Sequence, residues 1–179
     1  MNLAIILNNC VTTRNKIENN FVFQNTKKHL MHGELNEEQI EQVLTTNVIG
    51  RIACYADEKI YIVPITYLYV DGCLLGHTII GMKTKMLKKN PKCCFEVDSM
   101  QNMANWQSVI AWGTFEELQG EQAKSAMQKL INHFIPMMTS ESSQPTHGLD
   151  ELYQMEALHL KAIVYRINIE KKTGRFEKR

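Results

Sequence analysis

The feature that most constrains the fold of this chain is a predicted β-hairpin near its middle. Residues 60–69 (IYIVPITYLY) and 73–78 (CLLGHT) are apolar segments, and Asp71-Gly72 lies between them. An Asp-Gly pair favours a two-residue hairpin turn, because both turn positions require a left-handed backbone. Pro64 cannot donate a ladder hydrogen bond, so the first strand is expected at a sheet edge or bulge. A ligand could bind free backbone groups there.

The rest of the chain predicts a small antiparallel barrel with helices on its outside. A period of two indicates four further strands, at residues 48–55, 92–98, 106–119 and 158–169. This gives six strands in hairpin-like order, and the absence of strand–helix–strand units argues against a parallel sheet. Gly113 is a predicted bulge and Thr173-Gly174 a closing turn. The predicted loops span residues 99–105 and 135–150.

Three segments have the pattern of helices. Asn36 and Gln39 form a capping-box pattern, and Ile40, Val43 and Leu44 share one face of the helix that follows;. A second helix, residues 83–89, ends at Asn90-Pro91;. A third covers residues 121–134 and points its apolar side chains inward, namely Ala123, Met127, Leu130, Ile131 and Phe134;.

Length and composition favour one globular domain. The chain has 179 residues, 44% hydrophobic, with a formal net charge of +1. Residues 34–179 form the predicted domain, and residues 1–33 a poorly defined extension. No basic stripe indicates nucleic-acid binding, and no apolar run is long enough to span a membrane. The cysteines and histidines lack metal-ligand spacing, so no metal site is predicted. A cytoplasmic protein is expected.

A phosphate-binding segment is predicted at residues 77–91, HTIIGMKTKMLKKNP. His77 and Thr78 end a strand, Gly81 opens a turn, and Lys83 follows at once. Short hydrogen-bond donors, exposed backbone N–H groups and a fixed cation are what a phosphate dianion needs. The alternative is a solvated basic turn. The Walker and Rossmann patterns are both missing.

A second candidate region opens the strand at residues 106–119. Trp106 and Ser108 share one face, so the indole could stack on a flat heterocycle while the hydroxyl donates to its polar rim. The alternative is that Trp106 is simply a core or interface residue. No nucleophile–base pattern occurs in the chain. The sequence therefore favours a protein that lends chemistry to a bound cofactor.

Five segments resemble the FMN-binding split-barrel family, which includes pyridoxamine 5′-phosphate oxidase and the nitroimidazole-resistance (Nim-type) flavoproteins. They are VIGRIAC, YIVPITYLYVDGCLLGHTIIGMKTKML, NPKCCFEVD, NWQSVIAWGTFEEL and VYRINIEKKTGR. The Nim-type branch looks closer, because the oxidase's C-terminal substrate signature is missing. The resemblance implies a six-stranded antiparallel Greek-key split β-barrel with flanking helices. It also implies a homodimer with FMN at the interface.

The resemblance also implies roles for particular residues. The segment that passes the flavin ring would comprise Ile62, Val63, Pro64, Ile65, Thr66 and Tyr67. The phosphate and ribityl chain would contact His77, Thr78, Lys83 and Thr84, and the ring region Ser108 and Trp106. Lys83 replaces an arginine of the oxidase, which keeps the charge and loses the bidentate fork.

The expected function is therefore that of an FMN-dependent oxidoreductase acting on a small planar molecule, such as a nitroaromatic. His77 is the candidate catalytic residue, and its alternative role is a hydrogen bond on the phosphate side. Two other classes remain open at this point. One is a non-catalytic flavin carrier or storage protein, and the other is a haem-binding split-barrel protein.

Overall fold

A computed structural model describes residues 31–137 and 162–179. Its elements in chain order are β1 (Met31–Glu34), α1 (Glu37–Thr46), β2 (Ile49–Ala56), β3 (Lys59–Thr66), β4 (Leu68–Val70), β5 (Cys73–Ile79), α2 (Met82–Lys89), β6 (Lys92–Asn102), β7 (Asn105–Glu117), α3 (Gly120–Phe134), a 3₁₀ turn (Ile135–Met137) and β8 (Ala162–Lys178). Residues 138–150 of a predicted loop and 158–161 of the last predicted strand lie outside the described residues.

The strands form one antiparallel sheet in the order β3-β2-β6-β7-β8-β5-β4, and β1 pairs with β8. The predicted class, mainly β with flanking helices, is confirmed. The predicted number of strands is wrong, because the described sheet contains eight. One additional strand is β1, which includes residues 31–33 of the segment interpreted as an extension.

The other additional strand arises because the predicted strand at residues 60–69 bends at Tyr67. Thr66 still pairs with Ile49 of β2, whereas Leu68 pairs with Leu75 of β5. The buried Tyr67 fixes this corner, since its backbone N–H donates to the Val48 carbonyl and its hydroxyl to the Leu44 carbonyl. The chain thereby passes from one part of the sheet to another.

Two predicted irregular segments lie mostly in strands, although Met103 and Ala104 form the turn of a hairpin. Residues 99–105 were expected as a loop, but β6 and β7 form a long hairpin in which Ser99 pairs with Gln107. Polar side chains at outward strand positions explain the error, because they resemble a loop in composition. Thr173-Gly174 was expected as a turn, but Gly174 pairs with Val109 within β8. A Cβ at Gly174 would lie 2.8 Å from Leu35 Cβ, so close packing accounts for the glycine.

Several local predictions are confirmed. Asp71 and Gly72 have φ angles of 53° and 72°, as a tight hairpin turn requires;. Pro64 lies in β3, an edge strand. The register between β7 and β8 shifts at Gly113, although the extra residue is on β8.

The predicted helices also form. In α1 the Asn36 side chain accepts from the Gln39 N–H at 2.9 Å, and the Gln39 side chain accepts from the Asn36 N–H at 2.9 Å. In α3 the residues Leu130, Ile131 and Phe134 are buried as predicted. Ala123 and Met127 are only partly buried there.

Two hydrophobic cores result. The main core fills the interior of the curved sheet beneath α1 and α2, and its largest fully buried side chains are Tyr67, Tyr165, Phe95, Leu44, Ile52, Leu74 and Leu87. A smaller core lies between α3 and the outside of β5. No helix in the described ranges is long and apolar enough to cross a membrane.

Candidate functional site

The predicted phosphate-binding residues meet where β5 ends and α2 begins. His77 and Thr78 are half-buried near the end of β5, opposite Val164 and Ile163 of β8. Gly81 is the N-cap of α2, and a glycine has no side chain with which to cap the first helical turn. Uncapped N–H groups at a helix N-terminus attract anions. This corner of the barrel is therefore suited to an anionic ligand.

Lys83 is the lysine in the first turn of α2, beside this corner in sequence. Its ammonium group lies 5.7 Å from the centre of the Tyr165 ring, and burial lowers the pKa of Lys83 while the nearby Cys54 thiol acts in the opposite direction. No carboxylate pairs with Lys83 within residues 31–137 and 162–179. Both neighbours of the ammonium group, the Tyr165 ring and the Cys54 thiol, belong to the main core, so the Lys83 side chain packs against the interior of the sheet.

Thr84 holds the shape of the turn. It is buried, and its hydroxyl accepts from the Gly81 N–H and donates to the Gly81 carbonyl, both at 2.9 Å. The Thr78 hydroxyl donates to the Ile79 carbonyl at 3.2 Å and stays partly exposed. Of these two predicted phosphate contacts, Thr78 is thus the more accessible.

Strand β3 presents only half of its predicted side chains to the outside. Ile62, Pro64 and Thr66 are exposed, whereas Val63 packs against the core and Ile65 is buried. Tyr67 is also buried, as part of the corner between β3 and β4. Because β3 is an edge strand, its backbone is also available along the outer edge;.

Trp106 and Ser108 lie on the outward side of β7. Ser108 Oγ donates to Glu96 Oε1 at 3.0 Å. Glu96 Oε2 in turn pairs with Arg51 Nη1 at 3.2 Å, and the same Arg51 nitrogen lies 2.6 Å from Asp98 Oδ1. The sequence suggested that Ser108 donates to a ligand, but its only proton points to Glu96.

The two predicted regions are far apart within one chain. Thr78 pairs with Ile163 near the start of β8, and Ser108 pairs with Arg175 near its end. These two β8 positions are twelve residues apart, or about 40 Å along the strand;. The structure therefore does not bring Ser108 together with Thr78 and Lys83 in a single protomer.

Exposed apolar side chains of three strands, β2, β3 and β7, lie on the outward side of the sheet near Ser108. We call them the outer-face patch. The register places these side chains on the same side of β3, β2 and β7. The exposed members are Ile49, Tyr55, Ile60, Ile62, Ile110 and Trp112. Arg51 and Glu96 lie among these side chains on the same face, and exposed apolar side chains of this number favour a binding surface.

Comparison with known proteins assigns the chain. A family model described as pyridoxamine 5′-phosphate oxidase matches residues 36–176. The chain belongs to the pyridoxamine 5′-phosphate oxidase family. This match spans the hairpin, the β5–α2 corner and most of β8.

One protein similar in sequence and one similar in structure to this chain are described next. An uncharacterized protein of Rhizobium meliloti (strain 1021) is 30% identical over 88 residues, or 49% of this chain, and the match spans 58% of that protein. The crystal structure of an FAD-binding protein from Mesorhizobium loti is 27% identical, with a TM-score of 0.62, over 82% of this chain and 98% of that one.

A more distant structure shares the fold. A candidate 5-nitroimidazole antibiotic resistance protein from Bacteroides thetaiotaomicron VPI-5482 is 15% identical, with a TM-score of 0.60. The similarity covers 84% of this chain and 90% of that chain. At this identity the comparison shows the fold alone.

The sequence analysis did not identify four residues that contact or lie beside Ser108 and Lys83. Arg51, Glu96 and Asp98 form the charged cluster beside Ser108, and Tyr165 lies beneath Lys83. Strict alternation with the buried Phe95 and Val97 could have placed the two carboxylates outside;. The contact between Lys83 and Tyr165 joins α2 to β8 and has no local signal. Among the described residues, no group of three or more metal-ligating side chains occurs.

Proposed function

We propose that this protein binds FMN and acts as a flavin-dependent oxidoreductase on a small planar substrate. The observation that carries the proposal is Lys83, a half-buried cation without a carboxylate partner in the described structure, beside the uncapped start of α2. The FAD-binding relative from Mesorhizobium loti supports a flavin as the ligand.

The phosphate of FMN fits the β5–α2 corner. Its negative charge would be met by the Lys83 ammonium group and the N–H groups of the first turn of α2, and by the Thr78 hydroxyl once its proton turns from the Ile79 carbonyl to the phosphate;. His77 would lie beside the ribityl chain and phosphate. Charge-assisted hydrogen bonds contribute about 1.5–3 kcal/mol each, so Lys83 would be the strongest single contact.

The isoalloxazine ring requires a second surface. Ile62, Pro64, Thr66, Trp106 and Ser108 all face outward from the sheet. Ser108 and Thr78 pair with β8 at positions twelve residues apart, so the two regions lie towards opposite ends of that strand. We propose that the ring contacts Ser108 and Trp106 of one protomer while the phosphate binds Lys83 of the other.

A homodimer would supply that arrangement. The outer-face patch contains Ile60 and Ile62, which are 72% and 61% exposed. A second copy of the chain can cover this apolar area with its own equivalent patch, because an isologous interface is self-complementary. Arg51 and Glu96 lie among its apolar side chains and pair with each other, with Asp98 beside them, so their charges are neutralised in part and permit close approach.

A bound flavin would supply the redox chemistry, by accepting electrons from a reductant and passing them to the substrate. The protein would bind the phosphate, orient the ring and exclude water from one side of it. His77 is the candidate proton donor, and a role restricted to the phosphate side is its alternative. The name of the Bacteroides neighbour makes nitroimidazoles the first substrates to test.

The first experiment is an absorption spectrum of the purified protein. Flavin bands would support the proposal, a Soret band would instead indicate haem, and an apoprotein that fails to bind added flavin would contradict it. Chromatography of the released cofactor then separates FMN from FAD. Anaerobic reduction with NADH or NADPH, followed by reoxidation with a nitroimidazole, tests the activity. A flavoprotein inert to a broad set of donors and acceptors would be a carrier.

A further inference from the structure

We propose that Glu96 fixes Ser108 as a hydrogen-bond acceptor, and that Ser108 accepts from the N3–H group of the flavin ring. The inference rests on the proposed function, since it concerns the ring region of the same site. Under this proposal Ser108 contacts the ring only as a hydrogen-bond acceptor, and Glu96 is the positioning residue that holds the Ser108 proton.

Ser108 is left as a hydrogen-bond acceptor because of the side chain that it contacts on the neighbouring strand. Ser108 Oγ and Glu96 Oε1 are 3.0 Å apart, and an ionised carboxylate can only accept a hydrogen bond;. The other oxygen of Glu96 pairs with Arg51 Nη1 at 3.2 Å, so each carboxylate oxygen has its own donor;. A serine hydroxyl has one proton, so only the lone pairs of Ser108 remain for a ligand.

The chemistry of the ring then selects the contact. The edge of an oxidised isoalloxazine carries two carbonyl oxygens and the nitrogens N1 and N5 as acceptors. Its only ring N–H group is at N3. A hydroxyl that can only accept would leave any of the acceptors unpaired, whereas N3–H provides the matching donor. The hydrogen bond from Ser108 to Glu96 should also make Ser108 a better acceptor, because linked hydrogen bonds polarise one another.

Asp98 provides a matched control for Glu96. Both carboxylates bind Arg51 Nη1, and both side chains are 31% exposed. In the described structure only Glu96 also accepts from Ser108. Replacement of either residue by alanine removes one ion pair of Arg51, but only Glu96→Ala releases the Ser108 proton.

The experiment uses the full chain loaded with ¹⁵N-labelled FMN and follows the N3–H proton by NMR. In the wild type we expect a downfield resonance protected from solvent exchange. Ser108→Ala should move it upfield or lose it to exchange, and should weaken FMN about fivefold, as expected for one neutral hydrogen bond. Glu96→Ala should give an intermediate shift. Asp98→Ala should leave the resonance unchanged.

The outcomes distinguish this inference from the function on which it rests. Bound FMN with the same N3–H resonance in Ser108→Ala and in the wild type would overturn the proposed contact alone. Equal shifts in Glu96→Ala and Asp98→Ala would show that Glu96 acts only through Arg51, and would overturn its role as a positioning residue. A wild-type protein that binds no FMN would overturn both proposals.

Discussion

The Lys83 ammonium group lies 5.7 Å from the centre of the Tyr165 ring, and the Tyr165 hydroxyl is itself buried without a hydrogen-bond partner in the described structure. The ring face attracts the cation, but a cation–π contact replaces only part of the hydration lost on burial. A ligand phosphate next to Lys83 would offset the rest of the hydration free energy that the ammonium group loses on burial.

Removal of this charge should therefore weaken FMN binding strongly. We expect Lys83→Ala to lower FMN affinity by about one to two orders of magnitude, equivalent to one charge-assisted contact. Lys85→Ala is the control, because Lys85 is exposed on the same helix and should change affinity little. Flavin fluorescence titration measures both. Unchanged affinity in Lys83→Ala would remove Lys83 from the site.

The same contact should make FMN binding dependent on pH. Burial lowers the pKa of Lys83, and only the protonated amine attracts the phosphate. Affinity should therefore fall as the pH rises, starting at a lower pH than the ordinary lysine pKa of about 10.4 would give. Lys83→Arg stays charged across this range and should bind with a flatter profile. Identical profiles for the two proteins, from titrations between about pH 7 and pH 10, would argue against the contact.

Charge placed on the outer-face patch should prevent dimer formation. We expect Ile62→Glu to be monomeric by light scattering and to bind FMN poorly, because the buried carboxylate would lack a partner in the interface. Met137→Glu is the control, since Met137 is 48% exposed in the 3₁₀ turn that follows α3. A wild-type monomer that holds flavin at micromolar concentration would contradict the two-protomer site.

The Glu41 carboxylate should contribute to stability in a manner that depends on pH. Burial raises the pKa of Glu41, but hydrogen bonds from Lys172 and Tyr69 outweigh it and leave the pKa lowered. A carboxyl with a lowered folded pKa stabilises the fold above its ordinary pKa, and this contribution is lost as the pH falls through the folded value.

We therefore expect Glu41→Gln to cost about 0.5–1 kcal/mol at neutral pH, a modest value because the side chain is partly exposed. The difference from the wild type should disappear in acid. Glu34→Gln is the control, because Glu34 and its partner Arg175 are both largely exposed. Urea denaturation at several pH values measures the effect, and a constant difference at all of them would exclude the ionic contribution.

Two glycines should respond differently to alanine. A Cβ at Gly113 would lie 2.4 Å from the Asn168 carbonyl oxygen, so Gly113→Ala must shift the backbone of β8. We expect it to lower the free energy of unfolding by about 1–3 kcal/mol. Gly81 has open space around its Cβ position, so Gly81→Ala should change stability little. Equal stabilities of the two variants would contradict the close approach at Gly113.

The sequence determined the features that depend on neighbouring residues. Asp71-Gly72 favours the left-handed backbone of a tight turn, Asn36 and Gln39 cap α1, and Pro64 is compatible with an edge strand. The lysine at position 83 beside a strand end led to the prediction of a phosphate site, which stays a prediction. These effects act over a few residues, and no distant contact is needed to produce them.

Only the tertiary structure decided which distant residues meet. Tyr67 turns the chain because it packs against α1, and Gly174 lies within a strand because Leu35 occupies the space above it. Lys83 meets Tyr165, and Ser108 meets Glu96, through pairings of segments far apart in sequence. The separation of Ser108 from Thr78 along β8 follows from the order of the strands. Strand order depends on the burial of a common core, which the local pattern of residues does not encode.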